Sequence, residues 1–276
     1  MTARKICYNG IYQNETDPVL QAGNKSYRYG DGFFETIKVW KGALVLDDYH
    51  QKRIEKSFGQ LQYIQPPHFD IKHIFHQALK LCEKNGCAHA ARVRLSFSNG
   101  NGGLFDGDDQ LQYIIEAWPL EPVNNDINEN GLVTGFFPEI KKSCDPYANI
   151  KSASALLYAV AANYSQQQKW NDCIILNQRE NICETIIANL FWIKDNRIFT
   201  PALTEGCVDG IMRSYLIDQV GTVTETPCRT ADLLQADEVF LTNAIRGIRW
   251  VQSIEYASYK GSISRELHQQ YIKPLF

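Results

Sequence analysis

Residues 184 to 213 read Glu184-Thr-Ile-Ile-Ala-Asn-Leu-Phe-Trp-Ile-Lys-Asp-Asn-Arg-Ile-Phe-Thr-Pro-Ala-Leu-Thr-Glu-Gly-Cys-Val-Asp-Gly-Ile-Met-Arg213. Residues 188–194 and 197–202 are short, aromatic or β-branched runs, which predicts two successive strands. Residues 207–221 predict a helix entered through Gly210, so the backbone N–H groups of Ile211 and Met212 could face an anion. A plain loop-to-helix junction carries the same pattern. Glu184 sits among apolar and small residues just ahead of the first strand. If buried, its carboxylate needs a cationic partner; with Asn181 close before it, a surface turn is the competing reading.

Working outward, residues 237–244 predict a buried strand ending at Thr242 and Asn243, and strand ends are where ligands of α/β folds gather. Residues 264–272 predict a short closing helix. Upstream, 132–140 and 172–177 read as strands and 152–168 as a helix of small apolar residues. Lys151 stands where a polar chain turns into that helix. A first-turn lysine often snorkels to water; the alternative is an amine whose pKa a low-polarity site depresses, leaving a nucleophile able to form a Schiff base.

Residues 33–40 and 43–47, joined by Lys41-Gly42, predict a hairpin. Residues 47–61 follow as an amphipathic helix that the Asp47-Asp48 pair could cap, carrying Arg53, and 69–86 as a second helix stopped by Asn85-Gly86. Residues 91–98 and 111–120 alternate apolar and polar on either side of the glycine-rich segment 99–109, as two paired strands would. Residues 118–131 concentrate Pro, Asn and Gly without an apolar period. The organisation is therefore an N-terminal α+β domain over 1–118, a linker over 119–130 and a C-terminal domain over 131–276.

The chain has 276 residues, 44% of them hydrophobic, and a net charge of −3. This is ordinary globular composition without the basic stripe that nucleic-acid binding needs. No apolar run approaches the ~20 residues of a membrane helix, and Met1–Gly10 lacks a signal-peptide core, so a cytoplasmic protein is expected. The eight cysteines form no CxxC pair and suggest reduced thiols. His73 and His76 could share a helix face, but without a third ligand at motif spacing no metal site is expected.

Tyr29–Gly42 with Asp48–Ile54, then Asn149–Ser154, then the stretch quoted above, then Ala236–Ala244, in that order and spacing, resemble the fold-type IV pyridoxal-phosphate enzymes. That family holds branched-chain and D-amino acid aminotransferases and 4-amino-4-deoxychorismate lyase. The resemblance implies a two-domain, D-amino acid aminotransferase-like α+β fold, with a smaller α/β N-terminal domain and a larger, mixed, β-rich C-terminal domain. It implies pyridoxal 5′-phosphate between the two domains, with Lys151 as the Schiff-base lysine and Glu184 as partner of the pyridine nitrogen. Arg53, Ile211, Met212, Thr242 and Asn243 are implied as cofactor contacts, the first four forming the phosphate cup. A homodimer is also implied, with the 99–109 loop reaching over the neighbour's site, and a small-molecule substrate. Family aminotransferases often place an arginine after the strand leading into that loop, where this chain reads Ser98-Asn99-Gly100. The tyrosine that branched-chain enzymes carry five residues after the lysine is Leu156 here. Thr242–Val251 resembles the lyase, so the expected activity is that of a 4-amino-4-deoxychorismate lyase, with folate biosynthesis as its setting; a branched-chain or D-amino acid aminotransferase is the alternative. Asn243, Thr36, Asn99 and Arg94 are the candidate substrate contacts.

Overall fold

The computed structural model describes residues 3–276. The chain divides into two compact units: residues up to Pro122 together with Lys151–Ser154, and Val123–Ile150 together with Ala155–Phe276. Lys151 thus belongs to the first unit, although the residues on either side of its four-residue segment belong to the second.

The first unit holds strands β1 (Lys5–Tyr8), β2 (Ile11–Asn14), β3 (Gly32–Trp40), β4 (Ala43–Leu44), β5 (Ala90–Asn99) and β6 (Leu111–Pro119), with helices α1 (Lys25–Tyr29), α2 (Asp47–Leu61) and α3 (Ile71–Lys84). The strands form one antiparallel sheet in the order β2-β1-β6-β5-β3-β4. Lys41 and Gly42 both adopt positive φ, +51° and +81°, giving the tight turn expected between β3 and β4. One sheet face carries Phe33, Ile37, Val39, Leu95 and Phe97, all buried. The rings of Phe33, Phe58 and Phe97 meet at centroid distances of 4.9 to 5.2 Å and lock α2 against β3 and β5. Asp70 caps α3 through Lys72 N at 2.9 Å. The expected cap of α2 is absent: left-handed Leu46 precedes the helix, while Asp47 and Asp48 lie in its first turn and favour its positive dipole end instead.

The second unit holds β7 (Leu132–Phe136), β8 (Asp172–Leu176), β9 (Ile182–Thr185), β10 (Asn189–Lys194), β11 (Arg197–Thr200), β12 (Thr224–Glu225), β13 (Glu238–Asn243), β14 (Gly247–Ile254) and β15 (Ala257–Ser258). Its helices are α4 (Leu156–Gln167), α5 (Ile211–Val220), α6 (Thr230–Leu234) and α7 (Ser262–Leu267). Its mixed sheet runs β12-β11-β10-β13-β14-β7-β8-β9, with β15 against β14. Leu190, Trp192, Val239, Leu241 and Val251 form the core of one face. On the other side, Phe191 and Phe240 stack at 4.9 Å.

One local expectation is corrected. The helix after Lys151 begins at Leu156, so the lysine is not in its first turn. Residues 151–153 instead run extended along β3: Phe34 N donates to Lys151 O at 3.0 Å and Ala153 N to Gly32 O at 2.8 Å. The reason is that β4 covers only Val39 and Trp40, leaving the first half of β3 with backbone groups that need partners. Of the two readings of Glu184, the buried one holds: it lies within β9, buried.

Candidate active site

In the first unit, Lys151, Phe34, Thr36 and Arg94 share one region of the sheet. Thr36 and Arg94 are register partners on β3 and β5. Arg94 lies over the Phe34 ring, Cζ 3.6 Å from the centroid, with Nε donating to Ser96 Oγ at 3.2 Å. Lys151 Nζ lies 4.6 Å from the same centroid. Phe34 therefore orders two cations through its ring face. Burial pulls the Arg94 pKa below the ordinary arginine value against the opposing pull of Glu116.

Glu35 follows Phe34 and so points to the opposite, α2-facing side. There Arg53 grips it through Nε at 2.7 Å to Oε1 and Nη2 at 2.6 Å to Oε2, and His50 Nδ1 lies 2.6 Å from Oε2. Burial would raise the Glu35 carboxyl, but Arg53 and His50 outweigh it and bring the pKa to about 2. Arg53 is thus tied to a buried acid that sequence reading passed over, although an acid inside the apolar alternation Phe33, Ile37, Val39 signals one. Two of its five donor N–H groups serve Glu35.

Asn99 ends β5, its buried Oδ1 without a partner. The loop after it is cross-bonded: Asp108 accepts from Asn101 N at 2.9 Å and Gln110 N at 3.2 Å, and Lys25 pairs with Asp109 at 2.7 Å.

In the second unit, Glu184 is the centre of a built cluster. Its Oε1 accepts from Tyr158 OH at 2.6 Å and is in contact with Lys142 Nζ; its Oε2 accepts from Val208 N at 2.8 Å. The carbonyl of the same residue, in the next peptide, accepts from Asn189 Nδ2 at 2.8 Å. Asn189 is the register partner of Thr242 on the neighbouring strand. Next along the chain, Gly210 caps α5 without a side chain, and a Cβ there would overlap Asn189 Oδ1. The fold thus brings Glu184, Thr242 and the α5 N-terminus, with Ile211 and Met212 in its first turn, around one loop. The Asn243 Oδ1 accepts from Ile245 N at 3.1 Å and Arg246 N at 2.9 Å, fixing the β13–β14 turn. Lys142, Tyr158 and Asn189 were not anticipated from sequence.

This cluster suits a phosphorylated, protonated heteroaromatic ring. Thr242 Oγ1 is buried without a hydrogen-bond partner, and the first-turn N–H groups of a ten-residue helix beside it are donors for an anion. Glu184 accepts three hydrogen bonds where a carboxylate can accept about four, so it has room for a ring N–H.

Residues 32–254 match the family model for amino-transferase class IV. The chain is 29% identical over 287 residues to aminodeoxychorismate lyase of Bacillus subtilis (strain 168), covering 98% of this chain and 94% of that one. It is 24% identical to D-alanine aminotransferase of Listeria monocytogenes (strain 10403S), covering 98% and 96%. Its fold matches a hypothetical aminotransferase from Mycobacterium tuberculosis solved in a PLP-bound form, with a TM-score of 0.82, 17% identity, and coverage of 97% and 98%. With the family model spanning most of its length, the chain belongs to the class IV aminotransferase family and is a pyridoxal-phosphate-dependent enzyme.

Proposed function

We propose that this enzyme is a 4-amino-4-deoxychorismate lyase, releasing pyruvate and 4-aminobenzoate. The observation that carries the reading is the end of β5. An aminotransferase of this family often presents an arginine there; here the segment is Ser98-Asn99-Gly100, and Ser98 Oγ is already taken by Asn24 Nδ2 at 3.1 Å. The lyase similarity over nearly the full length supports the same reading.

The cofactor, when bound, supplies an electrophilic aldehyde and a ring that accepts electrons. Lys151 is the proposed amine that would hold the cofactor through its aldehyde and, when free, would be the base for the substrate C4 proton. Loss of the enolpyruvyl group then aromatises the substrate ring. Glu184 holds the proton at the pyridine nitrogen. Ile211 and Met212 N–H, Thr242 Oγ1 and Arg53 are the proposed phosphate contacts; Thr36, Arg94, Asn99 and Asn243 are the proposed substrate contacts. We read the working form as a cytoplasmic homodimer.

Incubation with aminodeoxychorismate is expected to release pyruvate with no keto-acid acceptor present. Turnover only of D- or branched-chain amino acids with 2-oxoglutarate would overturn the lyase reading. The Lys151→Ala variant is expected to lose the visible absorbance of the loaded protein, and Glu184→Gln to keep the cofactor while losing most turnover, because an amide cannot hold the pyridinium proton. An unchanged spectrum in the first, or unchanged turnover in the second, would remove that residue's assignment.

A further inference from the structure

Glu184 carries a cationic partner of its own within the chain. Lys142 follows β7, and its backbone is fixed beside the end of β8: its amide donates to Leu176 O at 2.9 Å and its carbonyl accepts from Gln178 N at 3.0 Å. The side chain is buried, its Nζ on Glu184 Oε1 and 5.5 Å from the centroid of the Tyr158 ring. Its neighbour Lys141 pairs at the surface with Glu180 at 2.8 Å, so burial singles out only one of two adjacent lysines. Both Lys142 and Tyr158 converge on Oε1, and among the described residues Oε2 receives only Val208 N.

Resting on the reading that Glu184 meets the ring nitrogen, we propose that Lys142 is a positioning residue for the reaction: with Tyr158 it immobilises Oε1, presents Oε2 to the ring N–H, and keeps the shared proton on the nitrogen. That proton has two resting places, giving either a carboxylate facing a pyridinium or a carboxylic acid facing a neutral pyridine. Burial favours the neutral pair. An ammonium touching the carboxylate opposes this, because it is closer to the acid than to a nitrogen one hydrogen bond beyond, and Coulomb energy falls with distance. The ammonium stays charged: burial alone would lower its pKa, but Glu184 and then Tyr158 outweigh that and hold it above the ordinary lysine value. Tyr158, Cys183 and Cys207, titratable groups around it, are all pushed upward by burial and by Glu184, and so remain neutral. A removed charge, and not a removed contact, is therefore the perturbation to make.

The experiment loads wild type, Lys142→Met and Lys142→Arg with cofactor labelled with ¹⁵N at the ring nitrogen and follows its NMR signal with pH. Wild type and Lys142→Arg are expected to show the pyridinium signal at neutral pH, and Lys142→Met to lose most of it, with Lys142→Arg also restoring turnover. A folded, loaded Lys142→Met that keeps the full pyridinium signal would overturn the proposal. Should Lys142→Met fail to fold, isotope-edited infrared spectra of cofactor-free wild type against Glu184→Gln decide it: an ionised Glu184 band at pH 6 is expected, and a protonated carboxyl band there overturns it. If loaded Glu184→Gln keeps the pyridinium signal, the parent reading of Glu184 fails and the proposal with it, while an ionised band in the cofactor-free protein would still report the Lys142 pairing.

Discussion

Replacing Glu35 by Gln isolates one buried charge in the first unit. The side chain keeps its shape, but its one oxygen replaces only one of the two carboxylate oxygens, its NH2 group faces a donor, and the Arg53 guanidinium is left buried opposite a neutral amide. The folded-state pKa of about 2 against an ordinary 4.5 is a depression of roughly 2.5 units. At about 1.4 kcal/mol per unit this amounts to roughly 3 kcal/mol of folding stability. The sign follows from the depression: the stabilisation is complete above pH 4.5 and is lost as pH falls toward 2. Burial pushes His50 below its ordinary value while Glu35 pulls it back up, so Glu35→Gln lowers it further and the Glu35 titration is read from pH 4.5 downward, below the histidine range. Hydrogen exchange of peptides from β3 and α2 reads this unit apart from the rest of the chain. The expected result is a wild-type advantage of about 3 kcal/mol at pH 7 that shrinks toward zero near pH 2. A difference that stays constant across that range, or is absent at pH 7, would refute the argument that ionised Glu35 anchors α2.

Asp172 works in the opposite direction. Burial raises its carboxyl to about 6, although Thr185 Oγ1, Ile186 N and Cys173 N all donate to it. A raised folded pKa stabilises below the ordinary 3.8 and ceases to do so as pH rises through 6, so Asp172→Asn is expected to gain up to about 3 kcal/mol relative to wild type on going from pH 4 to pH 8 in urea unfolding; a pH-independent difference would contradict this. Gly210→Ala places a methyl against Asn189 Oδ1, whose amide holds the Val208 carbonyl. It is expected to cost about 1–3 kcal/mol in thermal unfolding and to weaken cofactor binding in a fluorescence titration, and an unchanged variant would mean the loop yields freely.

The strands and helices that the sequence announces by period are those the structure contains from β3 through α3, and again at β8, β10, β11, α5 and β13. Their apolar alternation is strong enough to be read locally. The misplaced helix start at Lys151 has a tertiary cause: the bare edge of β3 takes residues 151–153 into extended pairing, which no pattern inside 146–162 records. Glu184 was recognisable as an acid that needs a cation, but the Lys142 that supplies one is the second of two adjacent lysines in an aperiodic segment, and only folding separates its environment from that of Lys141. Arg53 was identifiable as a candidate; its tie to Glu35 depends on helix α2 lying on the inner face of β3. Asn243, beside Thr242, also has a role that no strand pattern records: its side-chain oxygen fixes the β13–β14 turn.

The four residues from Lys151 to Ser154 also govern how the gene can be divided. A fragment ending at Pro122 would contain every named strand and helix of the first unit and still lack the neighbour that satisfies Gly32 and Phe34. It would display a naked β-edge next to Phe33, an invitation to pair with another molecule. Such a truncation would precipitate or self-associate, and adding back a peptide spanning 150–155 would be the natural remedy.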